Sequence, residues 1–302
     1  MQTTNHLLMI EPTGFGFNAA TAVNNAFQQD MGDIQEAALG EFTVFVDLLK
    51  DNGINVTVVK DTAHPHTPDS IFPNNWISFH EDGRVYLYPM FAENRRDERK
   101  DSVLDAIKNK FEVRKIIDLS AHERSAQFLE GTGSMVLDRD NRIAYACISP
   151  RTSPALLREF CEMEGYSAII FSAKDEMGMD IYHTNVMMCV AEEYVVVCLE
   201  AINDHKEKET LFDAFRNTNK EVIAISREQL SHFAGNMLQV QDNHGERILV
   251  MSSQAYASLF TEQVKELEKY NRIIHSPLNN IEAAGGGSAR CMMAEVFLGM
   301  RS

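Results

Sequence analysis

Apolar residues fall along this chain in short runs rich in Val, Ile, Met and aromatic side chains, separated by stretches in which they recur at helical spacing. The first runs are Leu7–Ile10, Val56–Lys60, Arg84–Tyr88, Val113–Leu119, Ser134–Asp138 and Arg142–Ser149. They continue with Ser167–Ser172, Val186–Ala191, Tyr194–Ala201, Glu221–Ile225, Met237–Gln241, Arg247–Ser252, Arg272–His275 and Met292–Leu298. Such residues suit a pleated, half-buried surface, so each run predicts a strand. Helical spacing covers Ile34–Asp51, which stops at Asn52 and Gly53, and then Asp97–Lys110, Pro154–Glu164, Lys206–Thr218 and Ser253–Tyr270. Ser102, Ser153 and Ser253 are the expected N-caps.

Each helix follows a strand or hairpin and precedes another strand. The pattern reads as strand–strand–helix–strand, repeated about five times at roughly sixty residues. An open α/β sheet is the common alternative. That fold usually begins with a glycine-rich phosphate loop, and neither Gly14–Ala19 nor Gly131–Val136 has the third glycine of GxGxxG. No low-complexity stretch or linker divides the 302 residues, so one domain over 1–302 is expected.

Four polar segments interrupt the apolar runs: Pro68–Trp76, Glu130–Ser134, His183–Asn185 and Gly285–Cys291. The last has three consecutive glycines, then Arg290 and Cys291, where a ligand could approach the backbone closely. A reactive thiolate needs an electropositive, partly open setting. It also needs a general acid for its leaving group, and histidine is the commonest choice. His183 stands at a strand end, and Glu130 opens a glycine-rich turn where a carboxylate could orient that histidine. His64 and His66 fit no common zinc spacing, and HExxH is absent, so no metal is expected.

Charge and cysteine content narrow the classes further. A formal charge of −16 with no basic stripe argues against nucleic-acid binding and favours cationic or zwitterionic small molecules. No run of 18 apolar residues occurs and no secretory leader is visible, so a cytoplasmic protein without a membrane span is expected. The five cysteines are odd in number and without CxxC spacing, so reduced thiols are expected.

These segments, in this order, resemble the guanidine-modifying (pentein) superfamily of arginine deiminase, dimethylarginine dimethylaminohydrolase, agmatine deiminase and the amidinotransferases. The resemblance runs from Met9–Pro12 to Cys291. It implies a five-bladed α/β propeller with pseudo-fivefold symmetry built from ββαβ repeats. It also implies Cys291 as nucleophile, His183 as general acid/base and Glu130 as the acid that holds histidine and substrate. Arg151 resembles the arginine that binds a substrate carboxylate, and Asp69 an acidic position at the site edge. The chemistry implied is addition of the thiolate to the central carbon, a covalent intermediate, and its release by water, with no cofactor.

The chain departs from the arginine-type pattern at two places. Asn75, next to Asn74, and Asn185 stand where those enzymes carry aspartates that grip a guanidinium. Amides supply donors and acceptors but no charge, so a neutral ureido group suits them better. The expected reaction is citrulline to ornithine, ammonia and carbon dioxide, as in a citrulline-hydrolase branch of the superfamily. The alternatives are hydrolysis of an arginine derivative, amidinotransfer, redox sensing by Cys291, or a non-enzymatic pentein binding protein, a class that lacks the Cys–His–Glu set. A ureido substrate brings no positive charge to activate Cys291, so that task falls to Arg290 or a protonated His183. The expected partners are a small amino acid and, at most, a second copy in a homodimer.

Overall fold

The computed structural model describes residues 1–301. Five three-stranded sheets share one plan, in which a central strand has an antiparallel neighbour on one side and a parallel neighbour on the other. The first sheet contains β1 (His6–Glu11) and, parallel to it, β2 (Asn55–Lys60). The second is β3 (Ile77–Phe79), β4 (Arg84–Leu87) and β5 (Lys115–Asp118). The third is β6 (Val136–Asp138), β7 (Ile143–Cys147) and β8 (Ser167–Phe171). The fourth is β9 (Met188–Val190), β10 (Tyr194–Val197) and β11 (Glu221–Ala224). The fifth is β12 (Leu238–Gln241), β13 (Arg247–Ser252) and β14 (Arg272–Ser276). Finally β15 (Ala294–Glu295) pairs antiparallel with β1, with Leu7 opposite Glu295, so the chain's two ends complete one sheet and close the ring. This is the expected pentein fold of ββαβ units, circularly permuted at the first blade.

Parallel pairing needs a crossover, and a helix supplies it in every blade. The helix over Gln35–Asp51 buries Ala38, Phe42, Phe45, Val46 and Leu49 along one stripe against the first sheet. Pro154–Glu164 is the most fully specified locally. The Ser153 hydroxyl accepts from the Leu156 N–H, Pro154 takes the first helical position, and Gly165 ends the helix with φ +71°.

The structure departs from the sequence pattern in several places. Ser102 lies inside its helix, which starts at Asp101 behind Lys100. Residues Glu93–Glu98, part of which was assigned to that helix, form a separate 3₁₀ segment. Ser252, not Ser253, caps its helix, and the run to Tyr270 breaks at Leu259 and Phe260 into two helices, Ser253–Ser258 and Thr261–Leu267. β3 went unpredicted because it is three residues long and follows the Pro73–Asn75 turn.

The innermost strand of each sheet is reached through a tight polar turn. Pro73–Asn75 leads into β3, Gly131–Ser134 into β6, Thr184–Met187 into β9, Gly235–Asn236 into β12 and Ala289–Met292 into β15. The pseudo-fivefold plan brings these turns to the middle of the ring, where those before β3, β6, β9 and β15 touch one another.

Candidate active site

The five turns each deliver a polar side chain to one buried space: Asn75, Glu130, His183 with Asn185, Asn236, and Cys291. A strap over Asn18–Asn25 covers them, and through Thr21 and Asn25 it lines the same cavity as Asp69, Asn75, Arg95, Arg151, Tyr182, His183 and Cys291. The cavity leaves only about 10 Å³, room for about one water.

Glu130 is fully buried beneath His183, and His183 Nε2 lies 2.7 Å from Glu130 Oε2. The Phe91 N–H also donates to Glu130 Oε1 at 2.9 Å, and the guanidinium of Arg151 stands 3.6 Å from Oε2. Burial alone would raise this carboxyl. Arg151, the His183 bond and Arg95 more than offset it and hold the group at about 2. His183 moves the other way: burial lowers it to about 4, with Arg151 and Arg95 adding to the effect and Glu130 opposing it. At neutral pH the site therefore holds a carboxylate and a neutral imidazole. The Nε2 proton goes to Glu130, which leaves Nδ1 unprotonated and free to accept a proton. A Cβ on Gly133 would sit 2.5 Å from Asn75 Nδ2 and 2.8 Å from His183 Nδ1, so the approach of these two groups requires glycine there.

Cys291 is 2% exposed. Its sulfur accepts from Asn236 Nδ2 at 3.2 Å and from Asn185 Nδ2 at 3.5 Å. Arg290, expected to activate it, points elsewhere, donating to the Met293 carbonyl and to Glu295 Oε2, each at 2.7 Å. The neutral state of His183 removes the second expected activator. The other four cysteines are free and buried, and burial raises their thiols, to about 12 at Cys147 and Cys189 and to about 11 at Cys161.

Asp69 accepts from Asn18 Nδ2 at 2.7 Å and Thr21 Oγ at 3.1 Å through one oxygen, while its other oxygen is buried with no partner. Asn185 Oδ1 is orphaned in the same way. Buried polar atoms without partners are costly, so the lone Asp69 oxygen at the cavity suits a ligand with an N–H donor, while Asn185 reaches the site through its bond to Cys291. Arg151 is also present, 2% exposed, stacked 5.0 Å over the Tyr182 ring and bonded to the strap. Asn74 turns away, its amide facing Thr132 and Asn75, so it supports the turn; Glu130 and Asn185 also lie outside the cavity lining but are bonded to His183 and Cys291.

Besides the strap residues and Tyr182, two residues at the heart of the site carried no clear sequence signal, Arg95 and Asn236. Arg95 sits in the charged run Glu93–Lys100, which reads as a solvated face, yet it is 2% exposed. It donates to Asn75 Oδ1 at 2.8 Å and pairs with Glu98, with Asp69 and Glu130 at 3.8 and 3.9 Å. Burial works against its charge, but Glu98, Asp69 and Glu130 more than offset that and push it up. Burial also raises Glu98, to about 7, against the pull of Arg95. Asn236 was the other, and only its position in a Gly–Asn turn before a strand could have drawn notice.

The profile of the family described as N,N dimethylarginine dimethylhydrolase, eukaryotic, matches residues 11–298. No curated protein sequence matches the chain. Among solved structures, unliganded ArgZ, an arginine dihydrolase of the ornithine–ammonia cycle in cyanobacteria, superposes with a TM-score of 0.77 at 18% identity over 96% of this chain. The chain spans 40% of that protein's length. The substrate-bound N-terminal domain of ArgZ gives 0.76 at 18% identity, covering 97% of this chain and 99% of the other. A dimethylarginine dimethylaminohydrolase adduct with S-methyl-L-thiocitrulline gives 0.65 at 16% identity, covering 97% and 99%.

Proposed function

The chain belongs to the N,N-dimethylarginine dimethylhydrolase family, and from that premise we propose that it hydrolyses the ureido group of a citrulline-like amino acid through a covalent intermediate on Cys291. The observation that carries this reading is the 2.8 Å bond from Arg95 Nη1 to Asn75 Oδ1. It occupies the acceptor of Asn75 with a buried cation, and since one amide N–H donates to Asn74 Oδ1 at 3.0 Å, the other is left to meet the substrate. A ureido oxygen accepts such bonds, whereas a guanidinium has no acceptor and would add a second cation beside Arg95.

Nδ1 of His183 takes the thiol proton as Cys291 Sγ attacks the ureido carbon, and returns it to the departing nitrogen, which leaves as ammonia. Sγ is then bonded to a carbamoyl carbon. Water, losing a proton to Nδ1, adds to that carbon and the thiol leaves with the proton. The carbamate that remains loses carbon dioxide and gives the amine. Glu130 holds the imidazole in one tautomer and stabilises it when it is charged. Arg151 receives the substrate carboxylate and the free oxygen of Asp69 its ammonium, while Asn185 Oδ1 accepts a ureido N–H. The whole of 1–302 acts as one catalytic domain in the cytoplasm, as a homodimer at most.

Hydrolysis of a guanidino substrate is the second reading. It is favoured by the three carboxylates at the site, Asp69, Glu98 and Glu130, and by the arginine chemistry of the structural neighbours. Ammonia release from citrulline, arginine and dimethylarginine under one set of conditions separates the two. We expect citrulline to exceed the others in kcat/KM, and equal or faster turnover of arginine overturns the ureido reading.

A further inference from the structure

Cys291 must ionise in a space with room for about one water, and it has no positive partner within bonding distance. The titratable and charged groups sharing its cavity are Asp69, Arg95, Arg151, Tyr182 and His183, with Glu130 behind them and Arg290 turned to Glu295. The side-chain atoms bonded to Sγ are neither charged nor titratable. They are the amide nitrogens of Asn236, at 3.2 Å, and Asn185, at 3.5 Å.

Asn236 is built into this position. It is fully buried, its Oδ1 accepts from the Arg290 N–H at 3.1 Å, and its Nδ2 also donates to the Asn185 carbonyl at 2.8 Å. These bonds fix the rotation of the amide and aim an N–H at sulfur. The preceding Gly235 lies flush on the neighbouring turn. A Cβ there would meet the Val186 carbonyl oxygen at 2.4 Å and Met187 C at 2.7 Å. Glycine thus presses the fifth blade's turn against the fourth's, where Asn185 is held. In the pseudo-fivefold plan Asn236 is the fifth blade's counterpart of Asn75, Glu130, His183 and Cys291.

We propose that Asn236 is a catalytic residue whose amide, together with that of Asn185, stabilises the Cys291 thiolate, the task a cationic neighbour performs at other reactive thiols. This rests on Cys291 being the nucleophile, but not on the ureido substrate. An N–H aimed at the sulfur favours the charged form over the neutral thiol, because hydrogen bonds to an ionised acceptor are the stronger ones. It acts in both halves of the reaction, when Sγ attacks and when it leaves.

The test is the pH dependence of iodoacetamide alkylation at Cys291, followed by mass spectrometry of its peptide, in the wild type, Asn236→Ala and Asn236→Asp. Access past the strap scales the rate at every pH, whereas the midpoint follows ionisation of the thiol. A hydrogen bond to a charged group carries enough energy that its loss should raise the midpoint by about one to two pH units in Asn236→Ala, with kcat down roughly ten- to hundredfold and KM within about twofold. Asn236→Asp keeps the size of the side chain and its acceptor for Arg290, and puts a carboxylate at sulfur. It should shift the midpoint at least as far, and it carries the test if the alanine variant does not fold. An unchanged midpoint in a folded variant overturns the proposal. A shifted midpoint with no turnover of any substrate overturns the ureido reading alone. A Cys291 that alkylates no faster than Cys147 or Cys189 overturns both.

Discussion

Asn24 Oδ1 accepts from two nitrogens of Arg151 at once, Nε at 2.9 Å and Nη2 at 2.5 Å, while the Thr21 carbonyl takes Nη2 at 2.8 Å. The strap thus offers the buried guanidinium the kind of oxygen fork that a substrate carboxylate would offer. With about 10 Å³ free beneath it, the strap as it stands leaves no room for an amino acid.

Removing that fork should loosen the strap. Asn24→Ala deletes two bonds to a charged group, and even a net loss of about 1.4 kcal/mol changes an opening equilibrium roughly tenfold. Amide hydrogen exchange over 18–25 should accelerate by about that factor while the helix over Gln35–Asp51 stays unchanged. Equal strap protection in variant and wild type would show that Arg151 does not hold it.

The pH profile of kcat/KM should carry the mark of a buried, neutral histidine. Burial lowers His183 to about 4, so Nδ1 remains a free acceptor through the range in which an ordinary histidine gains its proton near 6.5. The acid limb is therefore expected near pH 4, and a limb at 6 to 7 contradicts this assignment. Glu130→Gln keeps an acceptor for Nε2 but loses the charge that stabilises the imidazolium, and activity should fall by roughly a hundredfold or more.

How much of this was legible beforehand depends on the sign of each local signal. The segments that contain Asn75, Glu130, His183 and Cys291 break apolar runs with glycine, proline and polar residues. That is a local disagreement strong enough to see, and the structure brings Asn75, His183 and Cys291 to one cavity with Glu130 bonded behind His183. Arg95 gave the opposite signal. In Glu93–Lys100 it looks like any solvated charge, and only the fold, by placing Asp69, Glu98 and Glu130 around it, makes its burial possible. Arg290 misled for the same reason: adjacency to Cys291 in sequence says nothing of direction, and its partner, Glu295, lies on β15. The strap residues Asn18, Thr21 and Asn24 carry no signal at all until Asp69 and Arg151 are seen beneath them.

Asn75→Asp tests the charge logic of substrate choice. The new carboxylate would face Arg95 at the present 2.8 Å contact and lose both N–H donors. Citrulline kcat/KM should fall about a hundredfold, roughly the loss of one to two hydrogen bonds to a charge-bearing transition state. Arginine should lose less, so the ratio of arginine to citrulline turnover rises about tenfold or more. A ratio unmoved by the change means that Asn75 does not read the substrate's charge.

Glu282 supplies a stability test away from the reacting groups. It lies in the middle of the helix Asn279–Gly285, is 3% exposed, and accepts from Ser288 Oγ at 2.5 Å and Gln254 Nε2 at 3.3 Å. Burial raises it to about 7 from 4.5, against the two serines Ser252 and Ser288. A carboxyl raised in the folded state stabilises while protonated, so its contribution is full below 4.5 and is lost as pH climbs to 7. Glutamine mimics the protonated form and still offers Ser288 an acceptor. Glu282→Gln should therefore match the wild type at pH 4.5 and gain on it up to pH 7, by at most about 3 kcal/mol or several degrees in Tm. Measuring the difference between the two proteins cancels the opposing titrations of His183 and Glu98, which both retain. A Tm difference that stays constant across that range would mean that Glu282 ionises as freely folded as unfolded.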